Sequence, residues 1–178
     1  MNSKRGLSSV VVTVLLILFS VLAIVIISSF IIPFIRDNLK ESAECLNYGE
    51  YFTFDDGVGF NCYVVGGGNK NYTFSLLADS VNEEAEEKVV GMKVAFTREG
   101  ENDVVEFIAG DEVNRTNVPY IRMLDDSVTL MSIPGRGEVK TYVYVSDKDY
   151  REISVAPLLD SGRLCDVSDT LRIEDKIC

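Results

Sequence analysis

The chain has 178 residues and a formal net charge of −11, from 28 acidic and 17 basic residues, and it contains no histidine. This composition removes the commonest general base and metal ligand, and it argues against nucleic acid as a partner, since phosphate binding needs clustered Lys and Arg. The charge is uneven. Residues 1–36 hold Lys4, Arg5 and Arg36 and no acid, so residues 37–178 carry 14 basic against 28 acidic residues, a net charge of −14.

An uncharged, strongly apolar segment runs from Gly6 to Ile35, directly after Lys4 and Arg5. About 20 apolar residues are enough for a helix to cross the hydrocarbon core of a bilayer, and this segment is longer. A cleaved secretory signal has a shorter apolar region followed by a small-x-small site, whereas this segment ends in FIIPFIRDNL. We therefore expect a retained transmembrane helix.

The helix is expected to kink at Pro33 and to continue to about Glu44, because RDNLKESAECL resumes a weakly helical pattern. Basic residues that precede a single span stay in the cytoplasm. The predicted topology is therefore single-pass in the cell membrane, with a cytoplasmic N-terminus and the acidic remainder of the chain at the cell surface.

The stretch KRGLSSVVVTVLLILFSVLAIVII resembles the N-terminus of archaeal type IV pilin-like proteins, a group that includes pilins and relatives of the archaellins. The resemblance implies a short class III leader, residues 1–6, which a prepilin-peptidase-type protease cuts after Gly6, so that Leu7 becomes the mature N-terminus. It also implies that residues 7–44 form an assembly helix through which the protein becomes a homo-oligomeric filament. Many type IV pilins carry Glu five residues after the cut, where this chain has Val11.

Beyond Cys45 short apolar runs alternate with turn signals such as GGGNK and PGRG. The runs VVGMKVAFT and EVKTYVYV have the period of two that is typical of half-buried strands. Further candidate strands are residues 51–54, 59–65, 72–78, 103–109, 118–124, 127–131, 152–158 and 170–174. About ten short strands without a convincing second helix predict an all-β domain over residues 45–178. We expect an antiparallel β-sandwich, for which an immunoglobulin-like topology is one option, and the pilin resemblance also implies a β-sandwich.

Four cysteines lie beyond the apolar segment, where an even number permits disulfides. Three pairings are possible. We expect Cys45–Cys62 and Cys165–Cys178, because each pair is close in sequence and brackets a plausible turn. The spacings are too wide for a typical zinc site. We therefore expect neither a metal nor another cofactor.

Two triplets, Asn71-Tyr-Thr73 and Asn114-Arg-Thr116, fit the N-glycosylation sequon. Placement of the domain outside the cell would make both accessible to modification. Asn71 and Asn114 are therefore candidate glycan sites, and the protein is a candidate glycoprotein.

No catalytic residue is predicted, since neither a Ser nor a Cys nucleophile can be matched with a histidine base. Adjacent acids at 55–56 and 125–126 could bind calcium or act as a carboxylate pair, but acids in turns are usually just solvated. The glycines at 66–68 lack the GK[ST] of a phosphate loop and indicate a hairpin turn.

Two functions fit these observations. The first is a non-enzymatic subunit of a type IV pilus-like surface filament, with a role in adhesion or surface contact and with the membrane and the leader protease as partners. The second is a monomeric, membrane-anchored binding module, and a minor pilin lies between the two. An anchored hydrolase that uses carboxylates alone is the weakest alternative. We expect the first function.

Overall fold

The computed structural model describes residues 6–79, 88–174 and 176–178 and divides into a helical unit and a β-domain that begins at Cys45. Helix α1 covers Gly6–Cys45, roughly 60 Å at 1.5 Å per residue. Pro33 lies inside this helix, which continues beyond it. Val and Ile are modest helix formers in water, but an apolar environment selects the helix, because every backbone group must then be satisfied within the segment.

The hydroxyl groups within α1 follow the same rule. Ser20 Oγ donates to the carbonyl oxygen of Ile17 at 2.8 Å, and Ser29 Oγ donates to that of Ile26 at 2.8 Å. These polar side chains therefore find acceptors inside the helix and need no water.

The described part of the β-domain contains nine strands and two short 3₁₀ turns, Leu46–Tyr48 and Asp56–Val58. The strands are β1 (Phe52–Phe54), β2 (Cys62–Gly66), β3 (Asn69–Ala78), β4 (Val89–Arg98), β5 (Glu101–Ile108), β6 (Tyr120–Met123), β7 (Val139–Ser146), β8 (Glu152–Leu159) and β9 (Asp169–Arg172).

The strands form two antiparallel sheets. Sheet A has the order β1-β3-β7-β6, with β2 pairing farther along the same strand β3, and sheet B has the order β5-β4-β8-β9. The chain makes one antiparallel pair in a sheet and then crosses to the other sheet for the next pair. In the β2–β3 hairpin, Gly67 and Gly68 have φ of 63° and 89°, the left-handed backbone that a tight two-residue turn requires. The predicted hairpin at the glycine run is confirmed.

The order of the strands is that of an immunoglobulin-type sandwich, whose two sheets are ABED and CFG. The places of B, E and D are taken by β3, β7 and β6, and those of C, F and G by β4, β8 and β9. The short strands β1 and β2 share the place of A, and β5 is an additional edge strand beside β4. The predicted fold class, a long apolar helix followed by an antiparallel β-sandwich, is confirmed.

The hydrophobic core lies between the two sheets and is rich in aromatic rings. Phe96 of sheet B stacks on Tyr144 of sheet A with ring centroids 3.7 Å apart, and Phe74 stacks on Tyr142 at 5.5 Å. All four side chains are fully buried. Such pairs contribute about 0.5–1.5 kcal/mol each beyond the burial of their area.

Residues 127–131 do not form the predicted strand. The segment makes an isolated bridge, Leu130 with Glu112, and follows a turn in which Asp125 accepts hydrogen bonds from the backbone N–H and the hydroxyl of Ser127. Met131 is only 3% exposed. The apolar pattern there thus reflects a loop that buries Met131, not a strand paired within a sheet.

The predicted disulfide pairing is wrong. The structure joins Cys45 to Cys165 and Cys62 to Cys178, not Cys45 to Cys62 and Cys165 to Cys178. The physical reason is a backbone pairing between the two ends of the domain. Ile177 forms a parallel bridge with Tyr63, and the next residue, Cys178, therefore lies beside Cys62, which precedes Tyr63.

Candidate functional site

The most unusual surface of the protein is that of α1. Within it, Val11–Arg36 is long and apolar enough to cross a membrane, and none of it is buried in protein. Its 26 residues span roughly 39 Å as a helix, against about 30 Å for the hydrocarbon core of a bilayer. A soluble protein rarely exposes an apolar surface of this extent to water. The helix is therefore a membrane anchor or a signal sequence.

The predicted leader cleavage site lies at the start of this helix. Gly6 and Leu7 are the first two residues of α1. The leader residues 1–5 lie outside the described residues. Cleavage between Gly6 and Leu7 stays a prediction.

The two glycosylation sequons have different surroundings. Asn114 is exposed in the loop between β5 and β6, where its Oδ1 accepts a hydrogen bond from the backbone N–H of Thr116 at 3.0 Å. Asn71 is half-buried inside β3, paired with β2 on one side and β7 on the other, and Thr73 of the same sequon is 8% exposed. Of the two side chains, that of Asn114 is the more accessible.

The adjacent acids at 55–56 are bound within their own turn. Asp55 accepts from the backbone N–H of Gly57 at 2.7 Å. Asp56 accepts from the side-chain amide of Asn61 at 2.9 Å and lies 3.4 Å from Lys176. The hydrogen bond from Asn61 and the charge of Lys176 lower the pKa of Asp56. These carboxylates stabilise a turn.

The acids at 125–126 are similarly occupied. Hydrogen bonds from Ser127 lower the pKa of Asp125. Asp126 forms ion pairs with Arg115 at 2.9 Å and with Arg122 at 3.4 Å. Among the described residues, no group of three or more Cys, Asp or Glu side chains could hold a metal ion.

A polar cleft of about 420 Å³ lies at one end of the sandwich. Its charged side chains are paired across it: Lys70 with Asp149, and Arg151 with Glu99 at 2.6 Å and Glu174 at 3.3 Å. The first pair joins β3 to the loop between β7 and β8, and Arg151, just before β8, joins the β4–β5 hairpin to the segment after β9. The ion pairs in the cleft therefore hold neighbouring elements together, and each of these charges already has a partner of opposite charge.

A half-buried polar network that the sequence did not indicate lies at the corner between β7 and β8. Lys148 donates to both carboxylate oxygens of Asp103, at 2.9 and 2.8 Å, and the hydroxyl of Tyr150 donates to the same carboxylate. Tyr72 donates to the carbonyl oxygen of Lys148 at 2.9 Å and accepts from the backbone N–H of Tyr150 at 3.0 Å. Asp103 and Tyr72 are far from this corner in the sequence, so no local pattern could have revealed the network.

The two donors to Asp103, Lys148 and Tyr150, set the charges of the network. Hydrogen bonds from Lys148 and Tyr150 lower the pKa of Asp103. Burial and the neighbouring carboxylate raise the pKa of Tyr150. At neutral pH the network therefore holds a carboxylate, an ammonium group and a neutral phenol, an arrangement that stabilises a corner of the fold.

No protein-family model, curated protein or solved structure matches the chain.

Proposed function

We propose that the protein is a type IV pilin-like subunit of a cell-surface filament, anchored in the membrane before assembly and joined to other copies through α1. The observation that carries this proposal is the exposed apolar helix Val11–Arg36, directly behind a short basic N-terminus that resembles a class III leader. In this proposal a prepilin-peptidase-type protease cuts after Gly6, and the mature chain begins with Leu7.

The length of α1 supports an assembly role. A helix of roughly 60 Å exceeds the thickness of a bilayer, so part of it is available for contacts outside the hydrocarbon core. Helices in an apolar environment associate through packing and through small polar side chains. The hydroxyls of Thr13, Ser20, Ser28 and Ser29 give α1 side chains of this type.

The β-domain supports a place outside the cell. Its two disulfides are of the kind that persist in oxidising compartments, and its strong negative charge keeps a domain soluble by self-repulsion. With each of the acid pairs noted above engaged in turns, we assign no catalytic role to the domain. Its proposed contribution is adhesion or contact with surfaces.

The first experiment is mass spectrometry of the intact protein extracted from the membranes of its own host. We expect a species that begins at Leu7. In a Gly6→Ile variant, the bulky β-branched side chain before the cut should block processing, whereas Gly49→Ala in the β-domain should leave it unchanged. A wild-type chain that retains residues 1–6 would contradict the pilin assignment and favour a monomeric anchored binding module.

Assembly is tested separately by electron microscopy of material sheared from cells. Ile24 is 63% exposed near the middle of the apolar span. Ile24→Glu places a charge where it costs about 2.5–3.5 kcal/mol in a membrane helix, and we expect it to abolish filaments. Ile24→Leu should leave them intact. Membrane fractionation of both variants separates failure to assemble from failure to insert, and wild-type cells without filaments would indicate a minor subunit or an anchored module.

Glycan attachment tests the proposed location. We expect a glycan on Asn114, whose loop is exposed, in preference to Asn71, whose strand is paired on both sides. In the native host, Asn114→Gln should therefore remove the glycan mass, and Asn71→Gln should leave it. A glycan at Asn71 alone would show that modification does not follow the accessibility of the folded domain.

A further inference from the structure

One side of the sandwich is open. Sheet B ends in β5 and sheet A ends in β6, and among the described residues each of these strands has a single strand partner. On the opposite side, the C-terminal tail pairs with β2. The open side therefore presents two strand edges next to each other.

A groove of about 460 Å³, lined by polar and apolar groups in similar measure, lies between these edges. Three buried core side chains lie beneath it, Phe107 of β5, Ile121 of β6 and Met131, which are 4%, 7% and 3% exposed. Val105 and Val113 extend the apolar lining. Val105 and Val113 are half-buried, so they supply apolar surface that a bound segment can reach.

The rim of the groove is acidic. Glu106, Asp111 and Glu112 are exposed and line it, and no Lys or Arg among the described residues does so. Asp111 is engaged in its own turn, where it accepts from the backbone N–H of Ile108 at 2.8 Å. Within the described part of the chain, neither Glu106 nor Glu112 forms an ion pair, although Lys93 of β4 lies opposite Glu106 in the register. A cationic partner would therefore have the carboxylate of Glu112 to itself and would share that of Glu106 with Lys93.

The edge of β5 supplies directional contacts beside these charges. Its eight residues pair with β4 on one side, and the other edge of such a strand presents backbone N–H and C=O groups to an incoming chain. Extended peptides bind sheet edges in this way, with alternate side chains entering adjacent pockets.

We propose that this groove binds an extended, basic segment of another polypeptide, which adds to β5 as a further strand. One apolar side chain of the segment would pack against the half-buried Val105 and Val113, and neighbouring Lys or Arg side chains would meet Glu106 and Glu112. The positive charge follows from the rim and from the net charge of −14 on residues 37–178, which repels an acidic segment, including another copy of this domain. The site goes beyond the proposed filament role and does not depend on it.

The test uses the full chain in detergent micelles and a fluorescent heptapeptide of alternating Lys and Val. We expect saturable binding by anisotropy with a Kd of about 10–100 μM, and no binding of the matched Glu–Val peptide. Absence of saturation up to about 1 mM Lys–Val peptide would overturn the proposal.

Two further peptides test strand addition without changing the protein. The backbone nitrogens of the Lys–Val peptide are methylated either at odd or at even positions, which removes the N–H donors from one edge or the other. We expect one version to bind about tenfold more weakly, because only one edge faces β5. If both versions bind as tightly as the parent, the peptide does not add to the sheet.

Protein variants locate the site. Glu106→Gln with Glu112→Gln should weaken binding about tenfold, while Glu50→Gln with Asp160→Asn, the same loss of charge at exposed positions outside the groove, should leave the Kd unchanged. Equal effects of the two double variants would overturn the groove assignment in favour of general attraction to an acidic domain. Thermal unfolding of both variants verifies that each is folded.

Discussion

At the scale of single residues, Gly91 of β4 has no room for a side chain. The register between β4 and β8 shifts between Val89 and Gly91, and on the other side of β4 Gly91 pairs with Ile108 of β5. A Cβ atom at this position would lie 2.3 Å from the carbonyl oxygen of Phe107 and 3.1 Å from the Cα atom of Ile108. Both obstacles are backbone atoms, so no change of rotamer can relieve the overlap.

We therefore expect Gly91→Ala to lower the free energy of unfolding by about 1–3 kcal/mol, the usual cost of forcing extra atoms into a packed site. Gly49→Ala is the matched control, since Gly49 has φ of −58° and a Cβ atom there would have no neighbouring atom within 4 Å. Urea unfolding followed by circular dichroism measures both. Equal stability of the two variants would mean that β4 and β5 can separate at this point without cost.

Asp103 gives a pH-dependent prediction. Hydrogen bonds from Lys148 and Tyr150 hold its pKa below the value of about 3.9 for an unfolded Asp. A carboxyl group with a depressed pKa stabilises the folded state fully at higher pH, and this contribution is lost as the pH falls through the depressed pKa. Asp103→Asn should therefore lower Tm at neutral pH, and the difference from wild type should shrink as the pH falls below about 4.

The exposed Asp160→Asn controls for the loss of one negative charge. Thermal unfolding of the three proteins across the acidic range measures the effect. A difference between wild type and Asp103→Asn that stays constant down to low pH would show that the network stabilises the corner through packing alone.

At the scale of elements, local patterns in the sequence identify most strands, because alternation depends only on neighbouring residues. The alternating run before Arg98 became β4, and the run that ends with Val145 became β7. The disulfides and the corner network could not be predicted in this way. Cys178 meets Cys62 only because a C-terminal tail pairs with β2, and Asp103 meets Lys148 only because the two sheets pack face to face. The groove between β5 and β6 could not be predicted from local patterns either, because it forms only when the two sheets pack together.

The two disulfides close long loops, with sequence separations of 120 and 116 residues. Long loops lose much entropy on closure, and removal of a native disulfide typically costs about 2–5 kcal/mol. We expect Cys62→Ser with Cys178→Ser to destabilise the domain by about this amount, measured by urea unfolding, because the C-terminal tail is then held only by its backbone pairing and the exposed Lys176–Asp56 ion pair.

A digest under non-reducing conditions tests the pairing itself. Trypsin combined with a protease that cuts after Glu separates the four cysteines onto residues 45–50, 51–70, 164–172 and 177–178. The structure predicts a link between the first and third peptides and another between the second and fourth. A link between residues 45–50 and 51–70 would restore the pairing expected from sequence proximity.

At the scale of the whole molecule, the chain joins two units that require different surroundings, one apolar and one aqueous. The span Val11–Arg36 buries none of its apolar surface in protein, whereas the β-domain encloses a complete core between its sheets. An exposed apolar helix of this length requires lipid or other helices around it, and a strongly acidic domain requires water. This division matches an uneven charge that is already visible in the sequence.

The division predicts that residues 45–178 fold without the helix. Both disulfides lie within this segment, and its core begins at Cys45 and Tyr48. We expect a chain that starts at Cys45 to be soluble without detergent and to unfold cooperatively at the Tm of the full chain in micelles. A chain that starts at Leu46 differs by one residue, yet it cannot form the disulfide to Cys165 and should unfold several degrees lower. If the chain that starts at Cys45 does not unfold cooperatively, the domain needs α1 to fold. If the two shortened chains have equal Tm values, the Cys45–Cys165 disulfide does not stabilise the isolated domain.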